Sequence, residues 1–458
     1  MKTVRRSQAI ARQPGRPRRG HADVASTADR VLHGLAHGRL ADFPLDVRFW
    51  DGSTLRGESV DKPRSVVRVE PRALAHVMHE PSQIGLARAW VDGSLSVDGA
   101  LEDVLSTRHE FSDTRLSLGD RFRLALAAVR VAGLGVLRRP PTPAIEASLS
   151  GRRHSLARDR TAIVHHYDVS NEFYRLLLGP SMVYSCAYFS DADDSLEQAQ
   201  ERKLDLICRK LSLSPGEQFL DIGCGWGALL LHAAANYGVR ATGITLSESQ
   251  AALARERARQ LGLERRVDIR VADYRQVFDG PFDKIASIGM YEHVGRAQLD
   301  EYVRTAAGLL RPGGVFLNHG IARLASESPT SDTFITRYVF PDGELHPVDD
   351  LIGSIRTAGL ELRDVESLRE HYPHTLRRWL DNLDTHRADV LALVGPQRER
   401  TWRLYMAASA QAFETGEITV YQVVASRGGA PHALPLDRSK LLSDRSINGP
   451  LAASALGH

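Results

Sequence analysis

The stretch FLDIGCGWG, residues 219–227, is a short apolar run that ends in three glycines at alternate positions. A helix-like segment, 228–238, follows and stops at Gly238. Further along, apolar runs typical of buried strands alternate with a second helical pattern; these stretches are 239–247, 249–262, 267–273, 282–290 and 314–321. Alternation of strand and helix predicts a doubly wound α/β fold with a mostly parallel sheet, in which ligands bind at the carboxyl ends of the strands.

Composition limits the classes of protein that this chain can be. It has 458 residues, of which 43% are hydrophobic and 25% charged, with a formal net charge of +3. These values exclude a mostly disordered chain, a collagen-like fibre and a polytopic membrane protein. Three cysteines without a CxxC pair predict neither a disulfide framework nor a metal site, and indicate a reducing cytoplasm.

The sequence divides into segments of different character. Residues 45–57 resemble two short strands joined at Asp51-Gly52, which is a hairpin signal, and 65–70 alternate like a third strand. We therefore predict a small mixed α/β N-terminal domain ahead of the larger one. The predicted order is a basic disordered tail (1–24), the lipid- or membrane-associated N-terminal domain (25–138), a Pro- and Arg-rich linker (139–160), the catalytic domain (161–428) and a mobile tail (429–458).

Two basic segments indicate a membrane surface. Residues 1–20 carry seven Lys or Arg and no acid, but no apolar segment of a secretory signal follows. Around 115–139, leucines and Phe122 lie at helical spacing beside several arginines. Such a helix either docks on its own domain or lies in an interface rich in anionic lipid.

The glycine loop narrows the choice of cofactor. Its spacing is GxGxG, whereas dinucleotide sites show GxGxxG with an acid about 20 residues further on. The second strand ends instead in Thr245-Leu246-Ser247, and no phosphate-binding GxxxxGK[ST] motif occurs. The third strand ends in Asp273-Tyr274, where the carboxylate either accepts a hydrogen bond from an adenine amino group or caps a helix. Together these features favour S-adenosylmethionine in a class I methyltransferase fold.

Between His165 and Arg427 the chain resembles the cyclopropane-fatty-acyl-phospholipid synthases and their mycolic acid synthase relatives. The resemblance rests on an ordered set of segments: HHYDVSNEFYRLLLG (165–179), MVYSCAYF (182–189), LEQAQERKLDLIC (196–208), FLDIGCGWG (219–227), GITLSESQ (243–250), YEHVG (291–295), LRPGGVFLNHGI (310–321), FITRYVFPDGEL (334–345), HYPHTLRRW (371–379) and ITVYQVV (418–424). The N-terminal unit resembles the small domain of the longer bacterial synthases.

The resemblance implies transfer of a methylene group from S-adenosylmethionine to the cis double bond of an unsaturated phospholipid acyl chain. Family members hold bicarbonate as the base that removes the last proton. The matching catalytic positions are Cys186, Glu292, His319, Ile321 and Tyr372. Because Glu292 and bicarbonate cannot bond while both are fully ionised, we expect a shared proton.

The same resemblance assigns a set of residues to the cofactor. They are Tyr184, Ser185, Asp221, Gly223, Gly225, Trp226, Gly227, Thr245, Leu246, Gln250, Asp273 and Tyr274. Gln250 is expected to reach a ribose hydroxyl in place of the missing acid. Aromatic side chains expected to line the acyl slot are Tyr167, Tyr174, Tyr188, Phe189, Tyr338 and Phe340.

One departure from the family concerns a cysteine that some members carry before the last strand. Ser409 stands there in this chain, which argues against a covalent cysteine mechanism. The alternative product is a methylene- or methyl-branched acyl chain, formed from the same cation by loss of a different proton. A methyltransferase for a soluble small molecule, a non-catalytic lipid-binding protein and a nucleic-acid methyltransferase fit the sequence less well. Only the tails and the linker are markedly basic, which argues against a nucleic-acid partner. We expect a cytoplasmic protein that associates peripherally with the inner face of the membrane, and the resemblance is compatible with a homodimer.

Overall fold

The computed structural model describes residues 26–28, 45–56, 65–107, 126–147, 151–155, 158–159, 161–162, 169–277, 279–324 and 333–442. The predicted basic tail, the first part of the predicted basic helix, Tyr167 and residues 443–458 lie outside these ranges. Within them, no helix has both the length and the apolar character that crossing a bilayer requires.

The N-terminal unit is built on a four-stranded sheet with the order β2-β1-β3-β4. Its strands are β1 (Asp46–Phe49), β2 (Thr54–Leu55), β3 (Val66–Val69) and β4 (Leu95–Asp98). The predicted hairpin is confirmed, since β1 and β2 pair antiparallel and Gly52 takes a φ of 81° in the turn. Helices α1 (Pro71–His79) and α2 (Gln83–Val91) connect β3 to β4, and α3 (Leu101–Ser106) follows.

The larger unit contains a seven-stranded sheet with the order β10-β11-β9-β8-β5-β6-β7. Its strands are β5 (Gln218–Ile222), β6 (Arg240–Thr245), β7 (Val267–Val271), β8 (Phe282–Ile288), β9 (Leu310–Arg323), β10 (Leu360–Ser367) and β11 (Ile418–Arg427). The five strands from β9 to β7 run parallel, and β11 pairs antiparallel with both β9 and β10. The predicted mostly parallel α/β sheet is thereby confirmed.

Helices surround this sheet and several begin at side-chain caps. They are α4 (Asn171–Leu178), α5 (Leu196–Lys210), α6 (Ala228–Asn236), α7 (Glu248–Gln260), α8 (Leu299–Leu309), α9 (Phe334–Tyr338), α10 (Val348–Thr357), α11 (His371–Thr385), α12 (Arg387–Glu414) and α13 (Ser439–Leu442). Ser195 and Gln198 form a capping box at the start of α5, which satisfies otherwise unpaired N–H groups. Gly395, with a φ of 73°, precedes Pro396 and divides α12 into two helical parts.

Polar contacts join the two units. The indole N–H of Trp90 in α2 donates to the Arg400 carbonyl at 2.8 Å, and the Arg400 guanidinium lies 4.3 Å from the Trp90 ring centre. Glu146, in the segment predicted as a linker, accepts two hydrogen bonds from Arg88 of α2 and one from the Tyr338 hydroxyl of α9. This part of the segment is therefore anchored on both sides.

The segment after β11 packs on the catalytic unit as far as it is described. Leu434 and Leu441 are buried, and Arg438 pairs with Asp364 of β10 at 2.8 Å. Within the stretch predicted as a mobile tail, residues 429–442 thus carry two buried leucines, an apolar contact that periodicity alone did not reveal.

Candidate active site

A cavity opens at the carboxyl ends of β5, β6, β7 and β8. Eleven of the twelve residues predicted to bind the cofactor line it: Tyr184, Ser185, Asp221, Gly223, Gly225, Trp226, Thr245, Leu246, Gln250, Asp273 and Tyr274. Gly227 is absent from this lining and serves instead as the N-cap of α6, with a φ of 82°. These residues lie together because the four strands run parallel, so that their carboxyl ends meet at the same edge of the sheet.

The glycine loop is held against the neighbouring strand. The N–H groups of Gly223 and Cys224 both donate to the carbonyl of Ile244 in β6, at 3.0 and 2.9 Å. Gly223 and Gly225 take positive φ values of 84° and 53°, which residues with a side chain rarely adopt. The backbone therefore turns sharply at the strand end and leaves open space above it for a nucleoside.

Gln250 is held by Thr245 at the end of β6. The Thr245 hydroxyl donates to the Gln250 side-chain oxygen at 2.7 Å. This contact turns the carbonyl of the amide toward Thr245 and leaves its NH₂ group as the donor available in the cavity. The arrangement suits a ribose hydroxyl acceptor, as the sequence predicted.

Asp273 caps a short helical turn and also lines the cavity, so its proposed contact with an adenine amino group stays a prediction. Its carboxylate accepts the Arg275 N–H at 2.9 Å at the start of a short 3-10 turn, Tyr274–Gln276, and it also lines the cavity. The Arg275 guanidinium binds both Asp273 oxygens at 2.7 Å and reaches Asp159 at 3.0 Å. A fork of this kind fixes the plane of the carboxylate.

Lys203 is a cavity residue that sequence reasoning missed. It lies on α5 at a position where the helical period places buried side chains, and its ammonium donates to the Ser185 hydroxyl at 2.8 Å. Burial lowers its pKa to about 8, and burial raises the pKa of the nearby Asp221 to about 7. The available signal was a lysine on the apolar face of a helix, where an unpaired charge is costly.

Glu292, one of the predicted catalytic residues, is buried on the short 3-10 turn Tyr291–His293 that follows β8. One carboxyl oxygen accepts the backbone N–H of Ile321 at 2.7 Å, while the other has no hydrogen-bond partner among the described residues. Removal from water disfavours the carboxylate and raises the pKa of Glu292 to about 7. At neutral pH this group can therefore both give and take a proton.

His319 stands two residues before Ile321 on β9. Its Nδ1 lies 3.2 Å from the side-chain nitrogen of Gln422 on β11. Since that amide nitrogen only donates, Nδ1 accepts and the imidazole proton is assigned to Nε2. Burial lowers the pKa of His319 well below its usual value, so the ring is a neutral donor at Nε2.

Cys186 connects to Ile321 through the backbone of Leu368 and Val420, while Tyr372 packs in the same hydrophobic cluster. The Cys186 thiol is fully buried 3.8 Å from the Leu368 carbonyl, and the Leu368 N–H donates to Val420, the strand partner of Ile321. Tyr372 is on the first turn of α11, with its ring 4.4 Å from Phe413. Burial raises the pKa of the Cys186 thiol, which leaves no thiolate to act as a nucleophile.

The two predicted residue sets are thus separate but neighbouring. None of the five catalytic candidates lines the cofactor cavity. Aromatic rings bridge the gap: Tyr184 faces the cavity, its ring lies 5.4 Å from Trp379, and Trp379 lies 6.3 Å from Tyr372. Tyr184 also reaches the Tyr405 hydroxyl at 3.4 Å, beside Trp402 and Phe340.

Comparison of the sequence with known protein families identifies the family of this chain. The family model "Mycolic acid cyclopropane synthetase" matches residues 154–423, which span both residue sets. The chain belongs to that family. It is therefore an S-adenosylmethionine-dependent methyltransferase, and the cavity at the glycine loop is the candidate site for that cofactor.

Relatives of this methyltransferase include proteins from several bacteria. A "Probable fatty acid methyltransferase" of Pseudomonas putida is 40% identical over 87% of this chain and 96% of its own length. The cyclopropane-fatty-acyl-phospholipid synthase of Escherichia coli is 39% identical over 57% of this chain and 67% of its own. Among solved structures, the mycolic acid cyclopropane synthase CmaA1 complexed with SAH and CTAB is 34% identical, with a TM-score of 0.56; the match covers 58% of this chain and 98% of that one.

Proposed function

We propose that this methyltransferase converts the cis double bond of unsaturated phospholipid acyl chains into a cyclopropane ring. The observation that carries the proposal is Glu292, a buried carboxyl group that lies beside an aromatic core adjoining the cavity. One of its oxygens has no hydrogen-bond partner within the part of the chain that the structure describes. Addition to an alkene ends with the loss of a proton from carbon, and Glu292 is placed where it can hold the base that takes this proton.

The chemistry follows from the weak nucleophilicity of an alkene. The π electrons of the double bond form a new bond to the sulfonium methyl carbon, and the carbon–sulfur electron pair leaves with the sulfur. The acyl chain then carries a carbocation, and loss of a proton from the transferred methyl group closes the ring. Aromatic faces stabilise cations, and Tyr184, Trp379 and Tyr405 offer such faces between the two residue sets.

The residues around Glu292 fit a bound bicarbonate ion. A Glu292 carboxyl with a pKa near 7 is protonated often enough to donate a hydrogen bond to an anion, and neutral His319 offers its Nε2 proton. Bicarbonate would supply the base for the last proton. The Ile321 N–H donates to Glu292 here, which holds one oxygen of that carboxyl and leaves the other for the ion.

A second candidate function is the synthesis of methylene- or methyl-branched acyl chains. It is favoured by the relative in Pseudomonas putida, which is described as a fatty acid methyltransferase and spans 87% of this chain. Loss of a proton from a neighbouring chain carbon would give a methyl-branched alkene, whereas a hydride shift to the cationic carbon followed by loss of a methyl proton would give a methylene branch. The fold, the cofactor and the aromatic core serve both outcomes equally.

The substrate also requires contact with a membrane surface. Residues 126–132 are helical and lead into a 3-10 turn, Leu134–Leu137, where Leu134 is 75% and Leu137 53% exposed. Arg138 and Arg139 follow directly and are exposed as well. We define these four side chains as the leucine–arginine surface. Exposed leucines beside arginines suit the head-group region of an anionic bilayer.

Product analysis tests the proposed reaction. The purified protein is incubated with S-adenosylmethionine, bicarbonate and vesicles of a cis-monounsaturated phospholipid, and the recovered acyl chains are examined by proton NMR. Strongly upfield ring protons are expected. Vinylidene or methyl-branch signals without ring protons would establish the second candidate, and unchanged chains with cofactor bound would contradict both.

A further inference from the structure

A second cavity lies where the segment before α4 meets α9 and the second part of α12. Its lining is mostly aliphatic and aromatic and includes Ile145, Tyr338, Trp402 and Tyr405. Arg398 of α12 is the one charged side chain among the described residues that line it. No residue is shared between this lining and that of the cofactor cavity.

The guanidinium group of Arg398 has no partner within the described part of the chain. It makes no hydrogen bond and no ion pair there, although the residue is only partly exposed. Neighbouring arginines of α12 are engaged: Arg400 donates to backbone carbonyls of the N-terminal unit, and Arg403 binds Glu399 at 2.8 Å. An unpaired cation beside an apolar cavity favours a ligand that is anionic at one end and apolar at the other.

The helical spacing of α12 leads from Arg398 toward the proposed reaction site. Arg398, Trp402 and Tyr405 occupy positions i, i+4 and i+7, which share one face of a helix over about 10 Å. The Tyr184 hydroxyl, at the cofactor cavity, donates to the Tyr405 hydroxyl at 3.4 Å. Burial, with a smaller contribution from the charge of Glu292, raises the pKa of Tyr405 to about 12, so Glu292 is close to the same ring.

We propose that this cavity admits the acyl chain of a phospholipid and that Arg398 binds the phosphodiester of that lipid at the entrance. The inference rests on the proposed reaction and names the group by which its substrate is held. An acyl chain that passes Trp402 would run along α12 toward Tyr405 and the cofactor, while the charged head group stays at Arg398.

The position of the cavity suits a lipid that arrives from a membrane. Ile145 in its lining follows Arg139 by six residues, so the leucine–arginine surface lies within about 20 Å of the cavity. A guanidinium group binds two phosphate oxygens through parallel N–H donors, and such charge-assisted hydrogen bonds are about twice as strong as neutral ones. The phosphodiester is the anionic feature that phospholipid head groups share.

Quenching of tryptophan fluorescence measures this binding without requiring a reaction. Trp402 lines the cavity, and a phosphatidylglycerol whose acyl chains are brominated across the double bond quenches an indole that the chains touch. In micelles of a neutral detergent, we expect R398Q to raise the lipid concentration for half-maximal quenching by about 10-fold or more. R398K, which keeps the charge but not the paired donors, is expected to give an intermediate loss.

Two further brominated lipids separate the phosphodiester from other head groups. A diacylglycerol with the same chains lacks the phosphate, and we expect wild type and R398Q to bind it equally. A free fatty acid carries its carboxylate one glycerol unit nearer the double bond than a phosphate lies, so we expect R398Q to change its binding by less than about threefold. An equal loss for the fatty acid and the phospholipid would overturn the assignment of the phosphodiester.

A matched control is R304Q, which removes the same charge elsewhere. Arg304 of α8 is exposed, makes no hydrogen bond or ion pair with the described residues, and lies outside both cavities. We expect R304Q to bind all three lipids as wild type does. The inference is overturned if R304Q reproduces the loss, if R398Q binds phosphatidylglycerol as wild type does, or if the diacylglycerol is weakened equally.

The proposed reaction is judged separately by product analysis. Quenching that depends on Arg398 in an enzyme that leaves the acyl chains unchanged would uphold the phosphate contact and contradict only the reaction. Ring formation together with quenching that is independent of Arg398 would uphold the reaction and contradict only the contact.

Discussion

At the scale of single residues, the folded protein holds the Glu292 carboxyl group in a buried position where its ionised form is destabilised. The carboxyl is fully buried and receives one hydrogen bond, from Ile321, so removal from water outweighs local stabilisation. Its pKa rises from 4.5 to about 7 for that reason. Between pH 4.5 and about pH 7, Glu292 therefore stays protonated in the folded state, whereas in the unfolded chain it has released its proton.

The sign of this shift predicts how stability depends on pH. Because the folded state binds more protons, the contribution of Glu292 to stability is greatest below pH 4.5 and is lost as pH rises to about 7. E292Q keeps the oxygen that accepts from Ile321 but does not titrate. Between pH 5 and pH 8 we expect its unfolding free energy to rise relative to wild type by about 3 kcal/mol or less.

Denaturant unfolding at several pH values measures this difference. Parallel pH profiles for the two proteins would contradict a raised pKa at Glu292. The same variant separates stability from catalysis: we expect product formation to fall by about 100-fold or more, since the amide cannot exchange the proton. Its affinity for S-adenosylhomocysteine is expected to remain that of wild type, because Glu292 does not line the cofactor cavity.

At the scale of elements, the cofactor cavity depends on how closely α6 packs on β6. A Cβ atom added at Gly243 of β6 would lie 2.1 Å from Leu230 of α6 and 2.9 Å from the Cys224 sulfur. Such an overlap forces the helix and the glycine loop away from the sheet. Overpacking of this kind typically costs about 1–3 kcal/mol.

We therefore expect G243A to lower the melting temperature and to weaken cofactor binding together. The control is G353A, because Gly353 lies within α10 and an added Cβ there has no atom within 4 Å. Alanine at a helical position of this kind is expected to be neutral or stabilising by up to about 1 kcal/mol. Thermal unfolding with and without S-adenosylhomocysteine compares the two; equal melting temperatures for G243A and wild type would refute the close-packing argument.

At the scale of the whole molecule, we propose that the N-terminal unit brings the catalytic unit to a membrane surface. Arg400 and Glu146 hold α2 against the catalytic unit, and the leucine–arginine surface follows in the same part of the chain. If that surface docks on anionic lipid, binding must depend on both charge and apolar contact. The proposed membrane association and the expected homodimer both remain predictions.

Flotation with anionic vesicles at low and high salt tests the docking. We expect wild type to bind less at high salt, R138Q/R139Q to lose about 10-fold or more of its low-salt affinity, and L134S/L137S to lose binding at both salt concentrations. L436S is the matched control, since Leu436 is fully exposed but lies outside this surface. Binding that is independent of salt, or unaffected by the paired substitutions, would contradict the proposal.

Local sequence determined the parts of this protein whose signals are local. The glycine spacing at 223–227, the apolar strands and the strand-end residues Thr245 and Asp273 fixed the fold class and most of the cofactor cavity. Parallel strands bring their carboxyl ends to one edge, so eleven of twelve predicted cofactor residues converged there. The hairpin at Asp51-Gly52 could also be predicted from the sequence, because the residues of a turn and their immediate neighbours determine its geometry.

Tertiary structure alone decided the electrostatics. Lys203 and Asp221 share a cavity, Glu292 receives its hydrogen bond from Ile321, and Glu146 anchors a segment that its composition described as a linker. Each of these arrangements brings together residues that are separated in the chain, and the raised pKa of Glu292 follows from its removal from water. Burial is a property of the packed molecule, so sequence can nominate the residue types at a site but cannot assign their charge states.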